Sequence, residues 1–467
     1  MKKILALLLS VLTLMSMAAC GGEAVSGTLN NGGSSNTTAP ETSAPTGVAE
    51  PVVDDGFTDP TEPPMPDFVV PAPMTERPMY LVSENPTEQE LRETAVKAMH
   101  DMLSIQWSTE KTIDYNKTGA VSHKDYHYDP ETIYCGLPYA DGQTNLYVWL
   151  EYYDYRSGLM HMDGDGQWLN QYLGNTCAGS LMWAWSTVCD SLTGRYVNTS
   201  MVPAYGCIPV GPYTYPNFDF LKEYKDAPGQ VSTGMICEYN GLDVMFESYA
   251  LIKMADAITN SKSEHTMMVI EDATVVRDEE GNIHPTQSYV ILQDQAAGTG
   301  DKFFEYLDAN DGTTHHYTGR TGPIAVKMTF MDLFNATYIP VTTVEFLGQE
   351  AYVKPEVSFS NENCATVDDM FSGTVTSNYP MCMLKLIATN SKGQEKTLHT
   401  VYFNRKDVQG SEPGLFDGKA RNYKPSSDRI AIEAALEELV AGTYTITMEA
   451  TAPNGEVFHP TTFTYTK

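Results

Sequence analysis

Thr176-Cys177-Ala178-Gly179-Ser180-Leu181-Met182-Trp183-Ala184-Trp185-Ser186-Thr187-Val188 is where a loop, Tyr172-Leu-Gly-Asn175, gives way to an apolar run that reads as a buried helix. Cys177 then sits at a helix start, where amide N–H groups and the helix dipole favour a thiolate over a thiol. Downstream, Glu264-His265-Thr-Met-Met-Val-Ile270 reads as a strand with a histidine at its entrance. After a hairpin, Tyr289-Val-Ile-Leu-Gln293-Asp294-Gln295 reads as the next strand. A cysteine on a helix, then a histidine and a polar orienter on neighbouring strands, is a nucleophile, its base and a group that fixes the imidazole. Gln293 or Gln295 is expected to be that orienter.

The chain has 467 residues, with 29 basic and 60 acidic side chains and a net charge of −31. That charge argues against nucleic acid as a partner and suits solubility outside the cell. Lys2 and Lys3 precede an apolar run from Ile4 to Met17, and Ala18-Ala19 lead into Cys20. Residues 1–19 read as a secretory signal. The placement of Cys20 resembles a bacterial lipobox, with Met17 where leucine is usual, which implies cleavage before a lipidated Cys20. Residues 20–78 are then the anchor and a disordered tether, since Glu23 to Pro78 has almost no large apolar residue before Phe68. Such a tether spans about 40–50 Å as a coil. Localisation is therefore expected at the extracellular face of the cytoplasmic membrane. Cys20 apart, seven cysteines remain, an odd number that implies at least one free thiol if the others pair.

About 390 residues remain, enough for two domains. Thr87 to Met102 opens the first, with a threonine cap and an apolar stripe at Leu91, Ala95, Ala98, Met99 and Met102. Leu146 to Tyr152 and Thr329-Phe-Met-Asp-Leu-Phe334 read as further helices, Pro203 to Gln230 as loop, and Tyr338-Ile-Pro-Val as the exit from the domain. From about Ala351 the pattern changes to period two in Val357-Ser-Phe-Ser, Gly373-Thr-Val-Thr-Ser, Met383 to Thr389, Thr400-Val-Tyr-Phe, Tyr444 to Ala450 and Thr462-Phe-Thr-Tyr, with a helix from Ile430 to Leu439. The expected fold is α+β over 79–345, a Cys-bearing helix packed on an antiparallel sheet, followed by an Ig-like β-sandwich over 351–467.

Gly136-Leu-Pro-Tyr139 resembles the Gly-x-Pro-Tyr turn that precedes the nucleophile helix in the papain-like cell-wall hydrolases of the NlpC type. Cys177-Ala-Gly179 stands where those enzymes carry Asp-Cys-Ser-Gly, and Glu264-His265-Thr-Met-Met-Val is similar to their Gly-His-Val-Ala-Ile strand. Leu251-Ile-Lys-Met-Ala-Asp256 stands where many have Leu-x-Pro-Gly-Asp. Leu292-Gln293-Asp294-Gln295 falls where the related CHAP group shows Glu-x-Asn. The resemblance covers about Thr87 to Val341. It implies a papain-like domain in which the Cys177 thiolate and His265 cleave peptide or amide bonds of peptidoglycan, with Tyr139 and Trp183 on the substrate. The departures are Asn175-Thr176 for the acid before the cysteine, Ala178 for serine, Met254-Ala255 for Pro-Gly, and Gln293 for an acid. A neutral amide stabilises imidazolium less than a carboxylate does. Two alternatives therefore stand beside the hydrolase: an inactive surface lipoprotein that binds wall or other extracellular material, and a peptidase or transglutaminase-like enzyme acting on secreted proteins.

No metal or cofactor is expected. His123 and His127, with Asp125 and Asp129, have no helical frame, and Asp163-Gly-Asp165-Gly lacks the further ligands of a calcium loop. His315-His316 has no cysteine or acid at zinc spacing, and no glycine-rich phosphate loop is present.

Overall fold

His265–Val269 and Tyr289–Gln293 lie side by side in a six-stranded antiparallel sheet of the computed structural model. The strands are β1 (Cys207–Pro209), β2 (Ala257–Asn260), β3 (His265–Val269), β4 (Tyr289–Gln293), β5 (Val326–Thr329) and β6 (Ile339–Thr343), in spatial order β5-β4-β3-β2-β6-β1. The structure describes residues 73–467 except 115–126, 131, 139–144, 162–166, 169–170, 173, 191–206, 217–230, 262–264, 296–303, 308–313, 318–325 and 404–417. The leader, Cys20 and most of the expected tether lie outside the described residues, as do Tyr139, His123, Asp125, Asp163 and Asp165.

Five helices accompany this sheet: α1 (Glu88–Ser104), α2 (Leu146–Leu150), α3 (Cys177–Ser186), α4 (Thr233–Tyr249) and α5 (Phe330–Asn335). Thr87, Thr176 and Thr329 cap α1, α3 and α5, each accepting a backbone N–H from the first turn. Every side chain of α3 is buried, since the helix lies between β3 and α1. A helix without a polar face belongs in such a position. Tyr338-Ile-Pro-Val enters β6, an interior strand between β2 and β1 and the last strand of this sheet in chain order. Proline is rare in interior strands because it lacks the N–H. Here the Pro340 carbonyl is satisfied by Val210 N at 3.1 Å and Tyr213 Oη at 2.6 Å, while Ile339 and Val341 are fully buried. Helix α4 also went unread, because Gly241 interrupts it with φ +71° and breaks the apolar rhythm.

A second six-stranded sheet is mixed. Its order is Phe304–Leu307, Thr314–Tyr317, Ile133–Cys135, Gln106–Thr109, Leu159–Met160, Tyr153–Asp154, with parallel pairing at Thr314–Tyr317 with Ile133–Cys135 and at Gln106–Thr109 with Leu159–Met160. Trp107 anchors it, with Tyr128, Tyr134 and Trp149 at ring-centroid distances of 5.0, 4.9 and 5.2 Å.

In the C-terminal part, Val357–Phe359, Val375–Ser377 and Asn422–Tyr423 form a three-stranded antiparallel sheet. Glu395–Tyr402, Met383–Asn390, Thr443–Thr451 and Val457–Thr466 form a four-stranded one. Phe359 and Val375 from the first share a core with Leu386, Ile446, Met448 and Phe463 from the second, closed by Ile432 and Leu436 of the helix Arg429–Glu437. This part is not separate from the rest. Cys382, Met383 and Tyr402 join the core of the N-terminal part, Tyr152 Oη meets Tyr402 Oη at 3.2 Å, and Tyr80 N donates to Asn454 O at 2.8 Å. Residues 73–78, expected in the tether, pack as well: Met74 N donates to Tyr153 Oη at 3.1 Å and the Arg77 guanidinium stacks over Tyr147. The molecule is thus a mixed α+β protein with several antiparallel sheets.

Candidate active site

The start of α3 is fixed by two consecutive polar residues. Thr176 is the N-cap, its hydroxyl accepting from Gly179 N at 3.2 Å, and the buried Asn175 accepts from Thr176 N through Oδ1 at 3.0 Å. Asn175 N in turn donates to Pro138 O at 2.8 Å. The turn at 136–138 hangs on α1: Gly136 N reaches Ile105 O at 2.8 Å and Leu137 N reaches Met102 O at 3.2 Å. Gly136 has φ +72°, and a Cβ there would lie 2.7 Å from Leu103 O, so only glycine fits this approach. Asn175-Thr176, a departure from the pattern the chain resembles, therefore supplies the cap and the loop anchor that set Cys177.

Cys177 is nearly buried and hydrogen-bonds the half-buried His265 ring at the entrance of β3. The other partner of the ring is Asp294, whose Oδ1 lies 2.7 Å from His265 Nε2. Burial alone would push the His265 pKa down. Asp294, by charge and hydrogen bond, and Cys177 outweigh it and hold the ring well above the ordinary histidine value.

Neither glutamine orients the imidazole, contrary to the expectation from sequence. Gln293 reaches His100 Nδ1 on α1 at 2.9 Å, and Gln295 Nε2 donates to Leu137 O at 3.1 Å. The orienter is the residue between them. Strand alternation explains the choice: Leu292 stands opposite Val269, and the two-residue period puts Asp294 in phase with Leu292 and His265 in phase with Val269. The same phase relation was present in the sequence, and a count of residues from the hairpin would have found it. Trp183, expected on the substrate, is instead fully buried, edge-on to Tyr80 at 5.7 Å and Tyr147 at 6.2 Å. Its helical phase points it into the core shared with the C-terminal part.

Asp256, at the position of the Pro-Gly-Asp turn, is structural. It pairs with the buried Arg92 of α1 at 2.8 Å, and Arg92 also donates to Met254 O and Phe346 O and stacks on the Phe346 ring. Ala255 occupies the glycine position of that turn with φ +67°, and its carbonyl accepts from Trp185 Nε1 at 2.7 Å. Through this bond the far end of α3 is tied to the start of β2.

Among the described residues no disulfide joins any of the seven cysteines. Burial raises the thiol pKa of Cys135, Cys189, Cys207, Cys237 and Cys382. For Cys237 the value reaches about 12. Among the described residues no group of three or more His, Cys, Asp or Glu side chains converges as a metal site would, and no helix is long and apolar enough to cross a membrane.

No family model matches the chain. No curated protein and no solved structure matches it either. What the site can do rests on its own geometry: a nearly buried thiol on a capped helix start, an imidazole hydrogen-bonded to it, and a carboxylate holding the far ring nitrogen.

Proposed function

We propose that the chain is a papain-like cysteine hydrolase that cleaves peptide or amide bonds. The observation that supports it is the continuous array Cys177–His265–Asp294, with the carboxylate 2.7 Å from the imidazole. His265 takes the thiol proton, and the Cys177 thiolate attacks the substrate carbonyl carbon to give a tetrahedral oxyanion. Backbone N–H groups at the start of α3 are placed to stabilise that charge. The intermediate collapses as the C–N bond breaks and His265 gives its proton to the departing amine. Water, deprotonated by the same imidazole, then hydrolyses the thioester and restores the thiol. Asp294 keeps the ring in the competent orientation and stabilises the imidazolium, a role a neutral amide fills less well.

The substrate class in this reading is the peptide moiety of peptidoglycan. It follows from the secretory leader and from the resemblance of the Gly136 turn, the Cys177 helix and the His265 strand to the NlpC-type and CHAP enzymes. Lipidated Cys20 anchors the protein to the outer face of the cytoplasmic membrane. The C-terminal sheets, read as an Ig-like sandwich, hold wall polymer or position the hydrolase. Purified peptidoglycan incubated with the wild type should release soluble peptides or amines, and Cys177→Ala should lower that release by about four orders of magnitude or more. Equal binding of wall material by both proteins, with no release by either, would replace the hydrolase by a binding lipoprotein.

A further inference from the structure

β4 ends at Gln293, and among the described residues no ladder pairing continues through Asp294. Strand phase puts Asp294 on the His265 face, but the ladder does not hold it there. Its position is set on either side by two amides. Gln293 reaches His100 Nδ1 at 2.9 Å, and Gln295 Nε2 donates to Leu137 O at 3.1 Å. Both anchors belong to one body. His100 lies on α1, and Leu137 is bound to α1 through its own N–H to Met102 O. The same turn holds Asn175, two residues before the nucleophile.

The amides are kept at a cost. Among the described residues the Oε1 atoms of Gln293 and Gln295 are both buried without a hydrogen-bond partner, an unsatisfied polar atom that an apolar side chain would not carry. Burial lowers the His100 pKa, with Asp101 opposing and Lys97 assisting, so the ring is neutral and its Nδ1 can accept the Gln293 N–H.

We propose that His100 is a positioning residue for the Cys177–His265–Asp294 array, holding Asp294 on His265 through Gln293. This inference rests on the hydrolase reading of that array. Through it, α1 is the common reference for the thiol, by way of the 136–138 turn, and for the carboxylate, by way of His100.

The test uses the folded, full-length protein and iodoacetamide, with labelling of Cys177 followed by peptide mass spectrometry between pH 5 and pH 10. His100→Phe should slow Cys177 alkylation near neutral pH by about tenfold, because a misplaced Asp294 no longer supports the imidazolium that holds the thiolate. The loss of imidazolium, seen in the His265 ring resonances by NMR, should move to lower pH. His100→Gln, whose amide oxygen can accept the same N–H, should restore both. Gln293→Met should repeat the effect of His100→Phe, and combining the two should add little further. If His100→Phe and Gln293→Met change melting temperature but leave the pH profile and the ring titration at wild-type values, His100 is a packing residue only and the inference fails. If Cys177 in the wild type reacts no faster than the other cysteines, the reading of the array fails and takes this inference with it.

Discussion

Two acid–base pairs sit on the same sheet and differ in every respect that matters for chemistry. Asp256 and Arg92 meet at 2.8 Å at the beginning of β2, and both side chains are almost wholly excluded from solvent. Asp294 and His265 meet at 2.7 Å at the opposite end of the β2–β3 hairpin, with the imidazole partly open to solvent. Arg92 is held by two carbonyls, two carboxylates and an aromatic face, so every side of the guanidinium is engaged. His265 has one carboxylate and one thiol, and its charge can change. The first pair fixes where α1 crosses the sheet. The second, in the proposed hydrolase, keeps a proton next to the nucleophile. A buried charge partner alone is thus no mark of a site; a titratable partner beside a nucleophile is.

The comparison breaks most visibly at Arg92. Arg92→Met leaves Asp256 buried without its partner and should cost about 3–5 kcal/mol of stability. Arg92→Met combined with Asp256→Leu should recover most of that loss. Chemical denaturation of the two variants measures both. If the single variant is as stable as wild type, the pair is not what holds α1.

At the other pair the effect should fall on rate. Asp294→Asn should reduce hydrolysis by about 10²–10⁴-fold while the fold persists. It should also change how stability depends on pH. The folded pKa of His265 lies above its unfolded value, so the stabilisation it contributes is complete below about pH 6.5 and is lost as pH rises through the folded pKa. The stability gap between wild type and Asp294→Asn should therefore be widest in mild acid and narrow on the alkaline side. A gap that widens with rising pH would contradict the raised imidazole pKa.

The smallest effect is expected at Ala255. Its left-handed backbone costs an L side chain about 1–2 kcal/mol, partly offset by the greater chain entropy of glycine when unfolded. Ala255→Gly should stabilise the protein by about 0.5–1 kcal/mol, measured as a small rise in melting temperature, without altering either pair.

What could be read from the chain follows from the range of the interactions involved. The threonine cap at 87, the apolar stripe on α1, the apolar run after Cys177 and the stretch from Thr329 to Phe334 are local signals, and they located those helices. The alternating strands after 351 are long and one-sided, so period two revealed them. The mixed sheet was invisible because its strands are only two to four residues long and one of its pairings, Ile133 with His315, spans more than a hundred positions. Helix α4 was hidden by Gly241, and β6 by Pro340. At the site, the cysteine and histidine announced themselves by element type, and their meeting is long-range yet simple. The third member was misassigned by one residue because resemblance was preferred to strand phase. His100 lies 165 residues from His265 in sequence, and no local signal ties it to Gln293.

The central claim is that Cys177, alone among cysteines of which most are buried, is an activated thiol because His265 and Asp294 stand behind it. The direct test is the rate of alkylation of each cysteine at neutral pH, by mass spectrometry, in the wild type and in His265→Ala. Cys177 should react faster than Cys135, Cys189, Cys207, Cys237, Cys364 and Cys382, and His265→Ala should slow it by at least about tenfold while leaving the others unchanged. Equal reactivity of Cys177 in the two proteins, or a rate no higher than that of the other buried thiols, would contradict the account.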